Sequence, residues 1–328
     1  MKVLITGGTG FIGSRLALRY LEEGGSVSIL GQENTRAESA NRQLLEERGA
    51  RVFLGSMADS ALLDQVIDGI DIVYHLAAAQ HEINVPDERF RAVNVAGTRN
   101  VLEAGAQAGV GRLVHASTIG VYGPSDDTID ENSPCRPENI YGRTKLEGEH
   151  VALGCLDRLP VVVLRVPEVY GPGDRRLLKL FRAIKRGRFF VIGRGENWHH
   201  PMYVDDLLEG LVRAAAVPAA VGEVLGLAGP EPVTTNQMVR AVAVAVGRPP
   251  PGLRAPLAPF SALATMLELT MRPLGVQPPL HRRRLDFFRK SFSISTKKAR
   301  RVLDFAPRVG FEEGAARTAE WYERMEWL

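Results

Sequence analysis

The sequence has only two cysteines, Cys135 and Cys155, among 328 residues. So few thiols exclude a disulfide framework, and a reducing, cytoplasmic environment is the expectation. The formal net charge of +3 is too small to favour a nucleic-acid partner. Two local basic clusters, at 282–284 and 297–301, are most simply solvated helix faces.

Long apolar runs and metal-ligand clusters are also missing. The most apolar stretch, 253–271, is interrupted by Arg254, two prolines and Glu268, so we expect no membrane span. His199 and His200 are adjacent, but no third ligand has a spacing typical of a metal site, and no metal is expected. Because the first residues already form an apolar strand pattern, no cleavable signal is expected either.

The composition is that of a globular protein large enough for two domains. The hydrophobic fraction is 45% and the charged fraction 24%, both ordinary for folded domains. A chain of this length can form one large α/β domain and a smaller one.

The most informative segment is the first thirteen residues. Residues 2–6 are predicted to form a buried strand, and Gly7, Gly10 and Gly13 follow at three-residue spacing before an apolar helix. A strand, a glycine turn and a helix start together cradle a pyrophosphate, because the backbone approaches closely and the helix N-terminus supplies N–H groups. Its place directly after the strand favours dinucleotide binding over an ordinary turn.

Alternating apolar and helical segments continue to about residue 116. Strands are predicted at 27–30, 52–54, 72–74 and 113–116, and helices at 37–48, 61–67 and 87–107. Strands separated by helices of this length predict parallel pairing, hence a doubly wound, Rossmann-like α/β sheet. Ligands are expected beyond the carboxyl ends of these strands.

A second pattern concerns Tyr141 and Lys145. If residues 139–154 are helical, the two side chains lie one turn apart on one face. A lysine ammonium close to a phenol favours the phenolate, which can exchange a proton with a substrate hydroxyl while hydride moves to or from a nicotinamide. By itself such a pair is usually a surface contact, but the N-terminal glycine turn and Thr118 at a strand end favour catalysis.

At this point the chain resembles the extended short-chain dehydrogenases/reductases of the NAD-dependent epimerase/dehydratase type. The matching segments are 6–13 (TGGTGFIG), 75–78 (HLAA), 94–98 (NVAGT), 117–118 (ST) with 121–123 (VYG), Tyr141 with Lys145, 164–165 (LR), 169–173 (VYGPG) and 203–206 (YVDD). The resemblance implies that Tyr141 is the acid/base, that Lys145 holds the nicotinamide ribose, that Thr118 bonds the reacting oxygen and that Asn94 supports the site. It also implies a cofactor domain over 1–173 and a smaller, mostly C-terminal α+β substrate domain over 174–328, with about 202–230 returning to the cofactor domain.

The same resemblance assigns the cofactor-binding residues. These are Gly7, Gly10, Phe11, Ile12, Gly13, Gly31, Arg36, Ser56, Met57, Leu76, Ala77 and Ala78, together with Tyr141 and Lys145. Two departures leave NAD or NADP undecided. Gly31 stands where an acidic residue usually binds the adenosine ribose, leaving room for a 2′-phosphate that Arg36 would reach, although Glu33 can serve NAD instead. Ser56 stands where an aspartate often contacts adenine, so recognition there would rest on the Met57 backbone.

Three hypotheses follow for the function. The first is C4 epimerisation of a nucleotide sugar through a transient 4-keto intermediate, since Ile119 and Gly120 lack the acid or base that dehydration needs. Another is oxidoreduction of an apolar hydroxyl or ketone, as in the 3β-hydroxysteroid dehydrogenase relatives of the family. A cofactor-binding regulatory protein is disfavoured, because Thr118, Tyr141 and Lys145 are all present.

Residues expected to choose the substrate lie mainly after the glycines near 173. The candidate substrate contacts are His81, Glu168, Arg175, Arg176 and His200. Glu168 stands where many sugar-nucleotide epimerases have asparagine. The basic segment 175–188 can neutralise a diphosphate or face solvent. The apolar segment 257–271 can cover a pocket for a lipid-like substrate, or it can form part of the core or a dimer interface. We expect a homodimer.

Overall fold

A central seven-stranded sheet organises the molecule in a computed structural model, which describes residues 1–80, 85–271 and 282–328, without the side chains of 282–284. The strands are β1 (Lys2–Thr6), β2 (Ser26–Gly31), β3 (Arg51–Leu54), β4 (Ile72–His75), β5 (Arg112–Thr118), β6 (Thr128–Ile129), β7 (Val161–Val166), β8 (Val169–Tyr170), β9 (Val191–Ile192), β10 (Trp198–His199), β11 (Met202–Tyr203), β12 (Val224–Gly226), β13 (Val233–Thr234), β14 (Arg254–Ala255) and β15 (Ser293–Ile294). The large sheet has the order β12-β7-β5-β4-β1-β2-β3, and each pairing in it is parallel.

Helices cover both faces of this sheet and build the region beyond it. They are α1 (Phe11–Glu22), α2 (Arg36–Glu47), α3 (Ser60–Ile67), α4 (Asp87–Arg91), α5 (Thr98–Gln107), α6 (Ile140–Leu153), α7 (Leu178–Lys185), α8 (Val204–Ala216), α9 (Thr235–Ala245), α10 (Leu257–Met271), α11 (Arg282–Arg289), α12 (Lys297–Leu303) and α13 (Phe311–Arg324). A π-helix spans Ala92–Gly97, and short 3₁₀ turns span Ile119–Val121 and Pro218–Ala220.

The buried strands explain why the sheet forms. Val3, Leu4 and Ile5 of β1 are fully buried, and Val3 and Ile5 lie in one apolar cluster while Leu4 lies in another. Apolar side chains on both faces of a strand are typical of a parallel sheet covered by helices on each side. The prediction of a doubly wound, Rossmann-like sheet is therefore confirmed.

One predicted helix was wrong in detail. The segment 87–107 is not a single regular α-helix, because the π-helix interrupts it between α4 and α5. Within it the Thr98 hydroxyl donates to the Asn94 carbonyl at 2.8 Å, and Gly97 packs against the Met57 side chain. π-turns of this kind often occur at functional sites.

The chain after β8 contributes most of a third apolar cluster. Helices α7, α9 and α13 contribute Phe181, Val242 and Tyr322, which are fully buried. The chain returns to the large sheet at β12, which pairs in parallel with β7 at the edge of the sheet. The domain boundary at residue 173 stays a prediction.

Helix α10 is unusually exposed for its composition. Among its residues Ala264 is buried, whereas Leu269 is 72% exposed. No helix within the described ranges combines the length and apolar character that a bilayer crossing requires.

Candidate active site

The glycine turn after β1 brings backbone unusually close to backbone. Gly7 has φ +71°, and a Cβ there would lie 2.8 Å from the Ala77 amide nitrogen. A Cβ at Gly13 would clash with the Gly7 carbonyl. Helix α1 begins directly afterwards with Gly10 at its N-cap and no side chain capping it. The turn thus leaves the first amides of α1 available to an anion, as a pyrophosphate cradle requires.

The predicted neighbours of this turn lie beside it. Strands β1 and β4 pair directly, so the loop 76–78 follows at the same edge of the sheet, and Leu76 and Ala78 are half-buried there. The Ala77 amide donates to the Thr6 hydroxyl at 3.3 Å. Phe11 and Ile12, both half-buried, open α1 at the same place.

The Thr9 side chain lies directly against the Cα of Gly31. A Cβ at position 31 would lie 2.6 Å from Thr9 Cγ2 and 2.7 Å from Thr9 Oγ1. The Thr9 side chain therefore occupies the position that a Cβ on residue 31 would take, whereas the expected room for a 2′-phosphate beyond Gly31 stays a prediction. Arg36 begins α2 with its side chain exposed.

The predicted adenine contacts differ in their surroundings. Ser56 is exposed, and its hydroxyl accepts a hydrogen bond from the Ala58 amide at 3.1 Å. Met57 is buried, and its carbonyl accepts from the Asn100 side chain at 2.9 Å. The Met57 carbonyl thus accepts one hydrogen bond from the protein, and the contact to adenine stays a prediction.

Helix α6 carries Tyr141 and Lys145 one turn apart on one face. The helix begins where Asn139 accepts a hydrogen bond from the Gly142 amide at 2.9 Å. A Cβ at Gly142 would lie 2.6 Å from the Gly120 carbonyl, so the first turn of α6 packs on the turn that follows Thr118. Tyr141 is half-buried beside this contact. The helix predicted at 139–154 therefore lies where the sequence required it.

Lys145 is a buried amine with an unsatisfied nitrogen. The residue is 1% exposed, and Nζ has no hydrogen-bond partner among the described residues. Burial lowers the pKa of Lys145 to about 8, while the Glu149 carboxylate opposes that shift. A buried amine without a partner costs free energy unless a ligand supplies acceptors, as the hydroxyls of a ribose would.

Two neighbouring histidines lie in the same electrostatic surroundings as Lys145. His75 and His115 are fully buried with ring centroids 5.2 Å apart. Burial, helped by the charge of Lys145, lowers the pKa of His75 to about 3 and that of His115 well below its usual range. Both rings are therefore neutral near pH 7, and they add no charge that would repel the lysine.

Asn94 connects the π-helix to the loop after β4. Its side-chain oxygen accepts from the Ala79 amide at 2.8 Å, and its nitrogen donates to Thr144 at 3.0 Å. It is fully buried and also donates to the Ala79 carbonyl. Asn94 thus fixes the strand-end loop relative to α6, and its supporting role in catalysis stays a prediction.

A buried ion pair below the site escaped sequence reasoning. Arg165 makes charge-assisted hydrogen bonds to both oxygens of Glu149 and donates to the Tyr122 hydroxyl at 2.7 Å. Ser117 also bonds to Glu149. Glu149 lies one turn beyond Lys145 on α6, a spacing that would have suggested one continuous polar face.

The predicted substrate contacts divide into two groups. Glu168 lies two residues beyond β7, whose last residue pairs with Thr118, and its carboxylate is 3.5 Å from His199 Nδ1. Desolvation raises the pKa of Glu168, but His199 and the charge of Arg176 outweigh that effect and hold it below its ordinary value. The Glu168 side chain is 55% exposed, so it remains open to a ligand.

The other candidates are occupied within the protein. Both ring nitrogens of His200 bond to backbone groups, of Gly229 and Ile294, and burial lowers its pKa to about 4. The Arg175 guanidinium lies 4.6 Å from the Trp327 ring centroid. Arg176 donates to the Val169 carbonyl at 2.6 Å. His81 lies outside the described residues.

The basic segment 175–188 faces α13 and the chain end. Arg182 donates to the Trp327 carbonyl at 2.7 Å, and Lys185 pairs with Glu323 at 2.7 Å. These contacts make part of the segment a structural seam between α7 and α13 rather than an open anion site.

Arginines from three separate parts of the chain line a cavity that sequence reasoning missed. It has a volume of about 800 Å³, and its lining includes Arg194, Arg254, Arg289, Trp198 and Phe288. The cavity adjoins the loop after Thr118, because the Ser125 amide donates to the Ser291 carbonyl. An ion pair also connects the cavity to the start of α6, since Lys290, between two lining residues, pairs with Glu138 at 2.7 Å.

The residues present fit a nicotinamide dinucleotide. A Cβ at position 7 or 13 would close the glycine turn. The Lys145 nitrogen, which has no partner within residues 1–80, 85–271 and 282–328, lies on the face of α6 that carries Tyr141. A parallel sheet with this turn at its carboxyl edge defines a dinucleotide-binding protein. Within the described ranges, no group of three or more potential metal ligands comes together.

The chain belongs to the NAD-dependent epimerase/dehydratase family, whose model matches residues 3–227. It is 31% identical to a UDP-glucose 4-epimerase of Mycolicibacterium smegmatis, over 98% of each chain. It is 29% identical to a 2-alkyl-3-oxoalkanoate reductase of Stenotrophomonas maltophilia, over 97% of this chain and 98% of that one. The solved structure of MoeE5 in complex with UDP-glucuronic acid and NAD superposes with a TM-score of 0.78 at 28% identity, over 99% of this chain and 100% of that one.

Proposed function

We propose that this protein interconverts a secondary alcohol and a ketone, with Tyr141 as the acid/base. The observation that carries the proposal is the buried amine of Lys145, which has no hydrogen-bond partner in the part of the chain that the structure describes and lies one turn from Tyr141 on α6. When bound, the nicotinamide supplies the hydride acceptor and donor.

Each side chain has a role that follows from its contacts. Tyr141 takes the proton of the substrate hydroxyl at its phenol oxygen and returns it on reduction. Lys145 donates to the hydroxyls of the cofactor ribose, and its charge favours the phenolate. Thr118 Oγ accepts from the Gly120 amide at 3.1 Å, so its own hydrogen can donate to the reacting oxygen.

The first candidate substrate is a nucleotide sugar, epimerised at C4. The cavity beside the Thr118 loop brings three arginines together for a diphosphate and two aromatic rings for a base. Arg194 and Arg289 already pair with Glu196 and Asp286, so a diphosphate would have to share these cations with carboxylates. Oxidation at C4 followed by reduction from the opposite face leaves no net redox change. Ile119 and Gly120 provide no acid or base for elimination, which favours epimerisation over dehydration.

Product analysis tests this candidate. The protein is incubated with NAD and, separately, UDP-glucose and UDP-glucuronic acid, and the sugars are separated by chromatography. We expect a C4 epimer without accumulation of reduced cofactor. Reduced cofactor formed in proportion to product would contradict epimerisation.

A second candidate is an apolar hydroxyl or ketone substrate, and Glu168 favours it. A carboxylate open to the substrate side of the site repels a diphosphate, whereas a neutral substrate avoids that cost. The exposed apolar residues of α10 and the similarity to the oxoalkanoate reductase point the same way. Hydroxysteroids and 2-alkyl-3-oxoacids would then consume cofactor stoichiometrically, whereas UDP-sugars would give no product. The expected homodimer and cytoplasmic location stay predictions.

A further inference from the structure

A buried carboxylate connects the elements that carry the candidate active-site residues. Glu149 of α6 is 1% exposed, and Arg165 of β7 donates to it from Nε at 3.1 Å and from Nη2 at 2.8 Å. The Ser117 hydroxyl, at the end of β5, donates to the same carboxylate. Ser117 directly precedes Thr118, and Glu149 lies one turn beyond Lys145. The carboxylate thus fixes the end of β5 relative to the helix that carries the buried amine.

The arginine of this cluster also holds the turn that follows Thr118. Arg165 Nη1 donates to the Tyr122 hydroxyl at 2.7 Å, and the guanidinium lies 4.6 Å from the centroid of the Tyr122 ring. Arg165 and Ser117 are direct partners in the pairing of β7 with β5. Because the Arg165 side chain is 7% exposed and bonded on two sides, neither it nor the carboxylate can turn towards solvent.

The charges of the cluster are only partly balanced. Lys145 and Arg165 are cations, and Glu149 supplies a carboxylate between their positions in the fold. His75 and His115, whose pKa values are lowered by burial, are neutral near pH 7 and add no charge. Burial also lowers the pKa of Lys145, and the Glu149 carboxylate opposes that effect. Without this carboxylate two buried cations would remain, which would favour loss of a proton from the amine.

We propose that Glu149 is a positioning residue that keeps the Lys145 amine in its charged form for the cofactor ribose. Its bonds to Arg165 and Ser117 hold the carboxylate one turn from that amine, where its charge stabilises the ammonium. An ammonium has three donors and no acceptor, which suits the ribose hydroxyls, and its charge is what favours the Tyr141 phenolate. The proposal rests on the role given to Lys145 in the proposed function, but it does not depend on the substrate.

The affinity for NAD, measured by calorimetry without substrate from about pH 6 to about pH 9.5, tests this role. In the wild type the affinity should fall about tenfold above about pH 8, where Lys145 loses its proton. In Glu149→Gln the fall should begin at least about one pH unit lower, because the amine has lost the opposing charge. Glu149→Asp keeps the charge and should restore the fall to the wild-type pH.

Glu209→Gln is the matched control. Glu209 accepts hydrogen bonds from Arg19, in the last turn of α1, and from Arg213 of α8, so the change removes a carboxylate held by two arginines at a distance from Lys145. It should leave the pH dependence unchanged. If Glu149 were merely structural, Glu149→Gln would lower the affinity equally at every pH and the fall would stay at the wild-type pH.

Arg165→Gln tests the opposite direction. Loss of this cation leaves the Glu149 carboxylate without its partner, so the fall should begin at a higher pH than in the wild type. Because the direction is reversed, general loosening of the fold cannot explain both results. Arg165→Gln also decides the question if Glu149→Gln does not fold.

Two variants separate this proposal from the proposed function. Lys145→Met should bind NAD weakly and show no fall over this range, whereas Tyr141→Phe should keep the fall. A fall that persists in Lys145→Met, or that disappears in Tyr141→Phe, would contradict the role of Lys145 itself. A fall that Lys145→Met abolishes, but that neither Glu149→Gln nor Arg165→Gln moves, would overturn the role of Glu149 alone.

Discussion

The cofactor side and the substrate side of the site use their charged groups in opposite ways. Beneath Tyr141 the Lys145 amine is buried without a partner among the described residues, which is costly without a ligand. On the substrate side several of the predicted arginines and lysines already have partners, such as the pairing of Lys185 with Glu323. A buried polar group without a hydrogen-bond partner indicates that a ligand binds there, whereas a surface group that is paired within the protein indicates a structural role. The dinucleotide is therefore better defined by this structure than the substrate.

The largest expected effect separates chemistry from cofactor binding. Tyr141→Phe should lower kcat by roughly 10²–10⁴-fold, because the proton acceptor and donor is lost. The affinity for the dinucleotide should change little, because the ring remains. Steady-state kinetics and calorimetry measure the two quantities. Tyr20→Phe is a control, since this buried tyrosine bonds to Tyr74 away from the site, and it should keep its turnover.

Lys145→Met should weaken dinucleotide binding roughly ten- to a hundredfold, because hydrogen bonds from a charged donor are lost. The same change should stabilise the cofactor-free protein by a few kcal/mol at pH 7, given the folded pKa of about 8 against 10.5 in the unfolded chain.

The sign of this stability effect can be checked against pH. The unfolded chain binds the extra proton between about pH 8 and 10.5, so the penalty in the wild type is complete below pH 8 and fades above it. The advantage of the variant in urea unfolding should therefore shrink as the pH rises from 8 towards 10.5. Lys179→Met, at an exposed position of α7, should show neither effect. An advantage that grows with pH would contradict the assignment.

Arg254→Gln addresses the substrate side, since this cavity arginine donates to the Arg194 carbonyl and the Asn236 side chain rather than to a carboxylate. If the cavity holds a diphosphate, loss of this cation should raise KM for a UDP-sugar about tenfold with little change in kcat. Lys185→Gln, in the seam with α13, is the matched loss of charge and should leave KM unchanged. Equal effects of the two changes would remove the cavity from substrate binding.

Glu168→Gln should have the smallest effect on KM, but the direction of that effect distinguishes the two candidate substrates. Removing a carboxylate from the substrate side should lower KM for a UDP-sugar by about two- to fivefold, because like-charge repulsion is relieved. A neutral hydroxysteroid should show no such change. KM values for both substrates in wild type and variant decide between the two candidates.

The cofactor side was largely predictable because its determinants are local in sequence. The glycine turn, the strand spacing and the positions of Tyr141 and Lys145 are short-range patterns, and helix α6 starts at Ile140 as expected. The π-helix around Asn94 was not predictable, because it depends on contacts with Thr144 and Ala79. Thr9 beside Gly31 is likewise a tertiary contact between two turns.

The substrate side was predictable only in part because its groups meet through folding. Arg194, Arg254 and Arg289 are far apart in sequence and line one cavity. The dense basic run after residue 174 suggested an anion site, but Arg182 and Lys185 instead bond to the last turn of α13 and the chain end. Charge density in sequence cannot show which charges find partners.

The central claim is that Tyr141 and Lys145 act on an alcohol whose carbon gives its hydrogen to a bound nicotinamide. Mass spectrometry of cofactor released during turnover tests this directly, using the substrate found to be active with deuterium on the carbon that bears the hydroxyl. The account predicts deuterium on the nicotinamide ring in the wild type and none in Tyr141→Phe. Product formed at the wild-type rate with the label never reaching the ring would contradict it.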